Sequence, residues 1–321
     1  MYIYEVKNAS KYFEYGILGS FKFPAVDDVN ITIDEKPSIY AIAGESGCGK
    51  TTLAKMFLRI LKADRGTILY RGKNIWKLSG DALKNFYKEV QPVFQDPYDT
   101  FNPHENVDNY LIKTAKNLLG LNDEKEVRKR VQDVLDFVGL SYDTIKGKKP
   151  REFSGGQLQR VALARSIIPN PKVLIADEPV SMLDASLRIN ILNFFRDIKN
   201  KEKSIIIYIT HDLATSYYLS DYIFIMYRGS IVEHGAIQSI VDNPLHPYTQ
   251  TLLKALPDYR KRDEWFKEEF KPPGIELEEF LIKGCKYANQ CPHASERCFK
   301  NRPHEIEAEK EHYVACWLAV K

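Results

Sequence analysis

At 321 residues the chain is longer than one average domain and long enough to bury a substantial core. Hydrophobic residues make up 44% and charged residues 28%, a balance that excludes a disordered or fibrous chain. The 46 basic residues nearly cancel the 43 acidic ones, leaving +3, so no polyanion-binding surface beyond a local phosphate site is expected, and nucleic acid is not an expected partner.

The chain opens on the strand-like run Met1-Tyr2-Ile3-Tyr4-Glu5-Val6, without the basic-then-apolar signal of an exported protein. Its most apolar runs, such as Ser204 to Ile209, fall far short of the roughly 20 residues that span a bilayer. A cytosolic chain that does not cross a membrane is therefore expected. Val29 to Ile33 and Thr67 to Tyr70 read as antiparallel pieces beside a main sheet. Strands of that sheet are predicted at Ser38 to Ala43, Val90 to Phe94, Val173 to Ala176, Ile205 to Thr210 and Tyr222 to Met226. Short apolar strands alternating with helical patterns predict an α/β fold with a mixed, largely parallel core sheet.

Between residues 105 and 140 the pattern is helical only. Val107, Tyr110, Leu111, Thr114, Ala115, Leu118 and Leu119 recur at helical spacing up to Gly120. Asp123 and Glu126 fit a capping box for a second helix, which turns Val127, Val131, Val134, Leu135 and Val138 inward and ends at Gly139. A helical subdomain, about 96–168, is thus expected to separate the two halves of the sheet.

The chemistry is concentrated at predicted strand ends. Gly44-Glu45-Ser46-Gly47-Cys48-Gly49-Lys50-Thr51 matches G-x-x-x-x-G-K-S/T between a strand and a helical run. Its glycines let backbone N–H groups curl around a β-phosphate, and the helix points its positive end at the same anion. Lys50 is expected to bridge the β- and γ-phosphates and Thr51 to supply a hydroxyl to Mg²⁺. Cys48 needs only to be small. Asp177 and Glu178 end an apolar strand, where one carboxylate can hold Mg²⁺ and the next can act as general base toward water. His211 ends another strand, within reach of a γ-phosphate. Gln95 ends a third, where its amide can bind Mg²⁺ or the attacking water.

These residues, taken with Phe153-Ser154-Gly155-Gly156-Gln157, Ser181-Met182-Leu183-Asp184 and Thr210-His211-Asp212, resemble in their order the nucleotide-binding subunit of ATP-binding cassette (ABC) transporters over about residues 1–250. The resemblance implies a P-loop NTPase cassette with an antiparallel β subdomain and a helical subdomain, using ATP and Mg²⁺. It implies ATP contacts at Gly44, Ser46, Gly47, Cys48, Gly49, Lys50, Thr51 and Thr52, with Phe13 stacked on adenine. It also implies a head-to-tail pair of cassettes, in which Ser154, Gly155, Gly156, Gln157 and Asp184 complete the site of the other subunit. Phe153 stands where the family has leucine, and Met182 where it has alanine.

Two further stretches narrow the resemblance. Gln95-Asp96-Pro97-Tyr98-Asp99-Thr100-Phe101-Asn102-Pro103 and Asn243-Pro244-Leu245-His246-Pro247-Tyr248-Thr249-Gln250 are similar to segments of the oligopeptide, dipeptide and nickel importer group. Four of the five cysteines, Cys285, Cys291, Cys298 and Cys316, cluster at the C-terminal end as C-x5-C-x6-C-x17-C. In a reducing cytosol such thiols point to metal before disulfide, and their softness admits zinc or an iron–sulfur cluster. Gly284 to Pro292 resembles the cluster segment of dipeptide-type importer ATPases, which implies a 4Fe–4S cluster, with Zn²⁺ as the alternative.

The expected organisation is a nucleotide-binding domain over 1–255 and a C-terminal extension over 256–321 that carries the thiols, with Pro257 to Gly274 as connector. By the resemblance, ATP-driven closure of two cassettes powers two membrane-spanning permease subunits at the cytoplasmic face, served by an extracytoplasmic solute-binding protein. The helical subdomain and the Gln95 segment would receive a coupling helix. The rival reading is an ABC ATPase of a soluble cytosolic complex, such as that of carbon–phosphorus lyase. Peptide, nickel and oligosaccharide remain open as cargo.

Overall fold

The computed structural model describes residues 1–15, 21–181, 183–254 and 280–320. Two sheets dominate it. In the first, β1 (Tyr2–Tyr15) lies between β2 (Phe21–Asp34) and β4 (Arg65–Tyr70), with the short β5 (Lys73–Asn74) beyond, and every pair is antiparallel. The predicted pieces at Val29 to Ile33 and Thr67 to Tyr70 lie inside β2 and β4. β1 and β2 extend much further than their apolar runs because register shifts between Tyr2 and Tyr12 absorb the irregular pattern.

The second sheet places β3 (Ile39–Ala43), β6 (Val90–Val93), β7 (Val173–Asp177), β8 (Ile205–Thr210) and β9 (Tyr222–Tyr227) in the parallel order β9-β3-β8-β7-β6. All five main-sheet strands read from the sequence are present, within a residue at either end. β10 (Ser230–Ala236) pairs antiparallel with β9, so the sheet is mixed as expected.

Continuous apolar strands are what a sheet covered on both faces requires. Ile39, Ala41 and Ala43 point to a core shared with the helical region, while Tyr40 and Ile42 point to one shared with the antiparallel sheet. β7 and β8 alternate in the same way: Leu174, Ala176, Ile206 and Tyr208 face the helices, and Val173, Ile175, Ile205 and Ile207 face α1 (Lys50–Phe57) and the antiparallel sheet.

Between β6 and β7 lie α3 (Val107–Leu119), α4 (Glu124–Phe137), the short α5 (Tyr142–Ile145) and α6 (Gly155–Ile167), preceded in the chain by α2 (Gly80–Glu89). α3 stops where Gly120 takes φ 72°, and Gly139, φ 70°, follows the C-cap of α4. The capping box expected at Asp123 and Glu126 is not formed: the Asp123 carboxylate accepts from the Lys125 amide at 2.9 Å, a tight turn over two residues that leaves Glu126 out. Arg130 of α4 donates to the carbonyls of Ile167 and Ile168 at 2.7 and 2.8 Å, supplying partners to the C-terminal end of α6.

α7 (Ala185–Lys201) and α8 (Leu213–Leu219) follow β7 and β8, and α9 (Ile237–Asp242) and α10 (Pro247–Lys254) follow β10. The connector expected at Pro257 to Gly274, the boundary at 255, and Met182 lie outside the described residues. Beyond them, α11 (Glu296–Lys300) precedes a hairpin of β11 (Ile306–Glu309) and β12 (His312–Val314). β12 pairs with β10, so the C-terminal hairpin extends the main sheet to eight strands.

That junction is held by one buried carboxylate. Glu233 of β10 is 0% exposed and accepts from the Leu245 amide at 2.8 Å, the His246 amide at 3.0 Å and His312 Nε2 at 2.7 Å. Removing one partner of such a pair strands the others away from water, at a cost of about 3–5 kcal/mol. Glu233→Ala is therefore expected to lower unfolding free energy by about that amount in urea titration. A loss under about 1 kcal/mol, the scale of an exposed ion pair, would show that the junction does not depend on it.

Candidate active site

The parallel register sets the site. Ala43 pairs with Thr210, Ile209 with Asp177, and Ala176 with Val93, so four strand ends finish along one edge. Gly44, His211, Glu178 and Gln95 leave those ends within two residues. Ligands of open parallel sheets bind beyond such carboxyl ends.

The phosphate loop wraps from β3 into α1. Gly47 and Gly49 adopt φ 79° and 109°, a conformation side chains resist. Packing forbids larger residues as well: a Cβ on Gly44 would stand 2.1 Å from the Met226 carbonyl oxygen, and one on Gly49 2.0 Å from that of Ala25. Ser46 and Gly47 are exposed at the turn, whereas Cys48 is buried and its thiol pKa is raised by that burial. The Lys50 ammonium, 4% exposed, donates to the carbonyls of Gly44 and Glu45 at 2.8 Å each. A cation is thereby held at the loop centre by two neutral carbonyls, with the Cys48 thiol 3.8 Å away. Thr51 and Thr52 occupy the first turn of α1, and the Thr51 hydroxyl donates to Asp177 Oδ1 at 3.2 Å.

Asp177 is buried, which raises its carboxyl pKa, while the Thr51 hydrogen bond partly offsets the rise. Glu178 turns the chain sharply at φ 44°, outside the range a glutamate ordinarily adopts, and its amide donates to Ile209 at 2.9 Å. Its carboxylate accepts from Gln95 Nε2 at 3.2 Å and lies 3.1 Å from His211 Nδ1. Gln95, Glu178 and His211 thus form one cluster beside the Thr51–Asp177 pair.

Ser154, Gly155, Gly156 and Gln157 lie at the start of α6. Ser154 and Gln157 form a reciprocal capping box: the Ser154 hydroxyl accepts from the Gln157 amide at 3.3 Å and the Gln157 side chain accepts from the Ser154 amide at 3.2 Å. Asp184 caps α7 through the Leu187 amide at 2.9 Å. The two helix starts abut, since a Cβ on Gly156 would stand 2.6 Å from Leu187 Cδ1. Ser154 and Gly155 are exposed, and this patch is built as a unit. The Phe13 ring lies 6.1 Å from that of Phe23, tilted by 39°, on the strand pair whose Ala25 approaches Gly49.

Cys285, Cys291, Cys298 and Cys316 line one cavity of about 230 Å³ together with His246 and His293, and all four thiols are free. Burial pushes the Cys285 thiol up to about 11 and raises those of Cys291 and Cys316. Among the described residues, no three Cys, His, Asp or Glu side chains stand at the spacing that would hold a metal ion. The expected metal centre is not preformed.

Three contributors escaped the sequence reading. The Ser181 hydroxyl lies 3.5 Å from Gln95 Nε2 and donates to the Glu178 carbonyl at 3.0 Å. Gln159 Nε2 donates to Pro179 at 3.0 Å and to Phe94 at 3.5 Å, tying α6 to two of the strand ends. The Tyr248 hydroxyl accepts from the Glu45 amide at 3.1 Å, across 203 residues of sequence. Ser181 and Tyr248 lie inside motifs already quoted, whereas Gln159 carried no local signal.

Comparison with known proteins agrees with this geometry. The ABC transporter family profile matches residues 26–181, and the profile of the oligopeptide/dipeptide transporter C-terminal region matches residues 232–298. The chain is 36% identical to the oligopeptide transport ATP-binding protein AppF of Bacillus subtilis, covering 98% of this chain and 97% of that protein. It is 35% identical to the di/tripeptide transport ATP-binding protein DppF of Pseudomonas aeruginosa, over 93% and 91% of the two chains. Among solved structures, cbiO1 of Clostridium perfringens, part of an ABC transporter complex, superposes with a TM-score of 0.63 at 29% identity, over 75% of this chain and 91% of that one. The dimeric ATP-binding cassette MJ0796, bound to ADP and Pi, shares the fold at a TM-score of 0.65 and 24% identity, over 73% and 98%. The chain belongs to the ATP-binding cassette transporter family, in the branch that carries the oligopeptide/dipeptide transporter C-terminal region.

Proposed function

We propose that this chain is the ATP-hydrolysing subunit of an importer for peptides or a related solute, acting at the cytoplasmic face of a membrane. The observation that carries this reading is the convergence of Gln95, Glu178 and His211 beside Thr51 and Asp177, at the mouth of a loop whose buried Lys50 is held by the uncharged groups of Gly44, Glu45 and Cys48. No helix among the described residues is long and apolar enough to cross a membrane, so two separate permease subunits would supply the path.

ATP phosphates would replace the Gly44 and Glu45 carbonyls at the Lys50 ammonium, exchanging neutral partners for charged ones, which hydrogen-bond about twice as strongly. The remaining contacts come from the loop between Gly44 and Thr52, and Phe13 stacks on adenine. The Thr51 hydroxyl and the Asp177 carboxylate suit Mg²⁺, which takes hard oxygen donors and keeps several waters, with Gln95 as a further oxygen. When bound, Mg²⁺ would neutralise charge developing on the β- and γ-phosphates. Glu178 is the general base, and Gln95 and His211 hold both its oxygens. Ser154, Gly155, Gly156, Gln157 and Asp184 act on nucleotide held by a second cassette, either a copy or a related chain.

The peptide assignment is supported by the C-terminal region match and by the transport names of AppF and DppF. It disfavours the soluble carbon–phosphorus lyase type of complex. The nucleotide-binding domain is placed at 1–255 and the thiol-bearing extension at 256–321, although the hairpin of the latter completes the main sheet. An external solute-binding protein would deliver the cargo.

The four thiols are proposed to hold a 4Fe–4S cluster rather than Zn²⁺. A zinc ion with Zn–S bonds of about 2.3 Å needs sulfurs about 3.8 Å apart in a tetrahedron. The four thiols line one cavity of about 230 Å³, and thiolate is the donor that iron–sulfur clusters take. Bound there, a cluster would cross-link the segments that carry Cys285, Cys291, Cys298 and Cys316.

Lys50→Ala is expected to abolish uptake in cells, and intact uptake would refute the transport mechanism. Glu178→Gln should retain ATP binding while lowering turnover by about 10²–10⁴-fold, the range of a lost general base. Recovery of membrane-spanning subunits from detergent extracts distinguishes an importer from a soluble complex. Protein purified without oxygen should carry about four irons and absorb near roughly 400 nm. Zinc alone by elemental analysis contradicts the cluster.

A further inference from the structure

Phe13 and Phe23 stand opposite each other in the register of β1 and β2, and both are half-buried. Phe23 has a second aromatic neighbour, drawn from the far end of the chain. The Phe280 ring of the C-terminal extension meets it at 5.8 Å and 70°, an edge-to-face pair. Such pairs stabilise beyond their buried area, because the positive edge of one ring meets the negative face of the other. Phe280 is only 3% exposed, so a buried ring backs the half-exposed pair.

Phe280 is itself fixed from two further directions. The Arg228 guanidinium lies 5.2 Å from its ring centre, and Lys286 Nζ donates to its carbonyl at 2.7 Å. The same ammonium pairs with the Asp27 carboxylate of β2 at 3.1 Å. Arg302 adds a second cation at 3.3 Å from that carboxylate and donates to the Asp27 carbonyl at 2.7 Å. β2 is the outer strand of its sheet, so the extension braces an edge that would otherwise lack an outer partner. Asp27 lies two residues from Ala25, whose carbonyl borders Gly49, and its amide donates to Gly229, whose own amide donates to Cys48. Extension, β2 and phosphate loop are thus joined by short contacts, and Phe280 packs on the part of β2 that carries Phe23.

We propose that Phe280 positions the adenine ring by acting through Phe23 on Phe13, so that the C-terminal extension tunes affinity for the base while the loop from Gly44 to Thr52 sets affinity for the phosphates. The proposal rests on the reading that Phe13 stacks on adenine. Two half-exposed rings on a hairpin have several rotamers open to them. With Phe280 seated, Phe23 is held, Phe13 presents one orientation before nucleotide arrives, and less side-chain freedom is lost on stacking. Phe280 is a positioning residue, since its contact is with Phe23.

The test is calorimetric titration of the full chain with ADP and with inorganic pyrophosphate, of which only ADP presents a base. Phe280→Leu is expected to weaken ADP about two- to tenfold, the worth of an aromatic pair, and to leave pyrophosphate unchanged. Phe13→Leu should weaken ADP at least as much, and the double variant should bind no more weakly than Phe13→Leu alone, because the two residues act in one chain of contacts. Should Phe280→Leu fail to fold, Lys286→Met withdraws the ammonium from the Phe280 carbonyl and should give the same base-selective loss. Weakened ADP binding in Phe13→Leu beside wild-type affinity in Phe280→Leu overturns the proposal and leaves Phe13 on the base. An equal loss for ADP and pyrophosphate in Phe280→Leu overturns it as well, and so do losses that add in the double variant. Unchanged ADP affinity in Phe13→Leu refutes the adenine reading and the proposal with it.

Discussion

The register of four parallel strands is the constraint on which the nucleotide site depends. Because β3, β8, β7 and β6 end in step, residues from four distant parts of the chain emerge along one edge without any loop having to reach for them. Apolar burial on both faces holds that register, since a slip of one residue would exchange the side chains of the two cores. The polar groups of the site are then free to be strained. Glu178 at φ 44° is tolerable because β7 before it and the Ile209 carbonyl beside it leave the backbone no alternative.

The same logic explains what could be read from the sequence. Each of the five parallel strands is a short apolar run, and Gly44, Gln95, Glu178 and His211 each stand just past one, so strand and chemistry are contiguous in the chain. Gly44 to Thr51 announces itself because its glycines answer both to backbone angle and to the approach of Ala25 and Met226. Side-chain reach is harder to read. Asp123 was expected to share a box with Glu126, yet a carboxylate one methylene long closes on the nearer Lys125 amide instead.

Pairings across long sequence separations were not legible. Nothing local to Glu233 says that His312 will arrive 79 residues later, or that the hairpin bearing it will join the main sheet. The sequence therefore shows only a C-terminal extension that carries the thiols. Its strands borrow an existing sheet edge and a buried carboxylate from β10. Likewise Asn243 to Gln250 reads as a proline-bounded helix, while its histidine and tyrosine face opposite partners, a thiol cavity and the phosphate loop.

The exposed patch at Ser154 and Asp184 fits a chain that holds half of each of two sites. Both side chains are engaged in capping their own helices, so the patch is shaped before any partner arrives and little ordering remains to oppose association. Glu178 is engaged in a different way. With Gln95 on one oxygen and His211 beside the other, the proposed base is occupied in the single chain, and activating water would require those contacts to be shared or released. Gln95 opens the segment leading into the helical subdomain, and Gln159 of α6 ties that subdomain back to Phe94 and Pro179. Movement of the helical subdomain on closure would therefore act on the groups that hold the base. Hydrolysis can then wait for the second cassette without a separate gate.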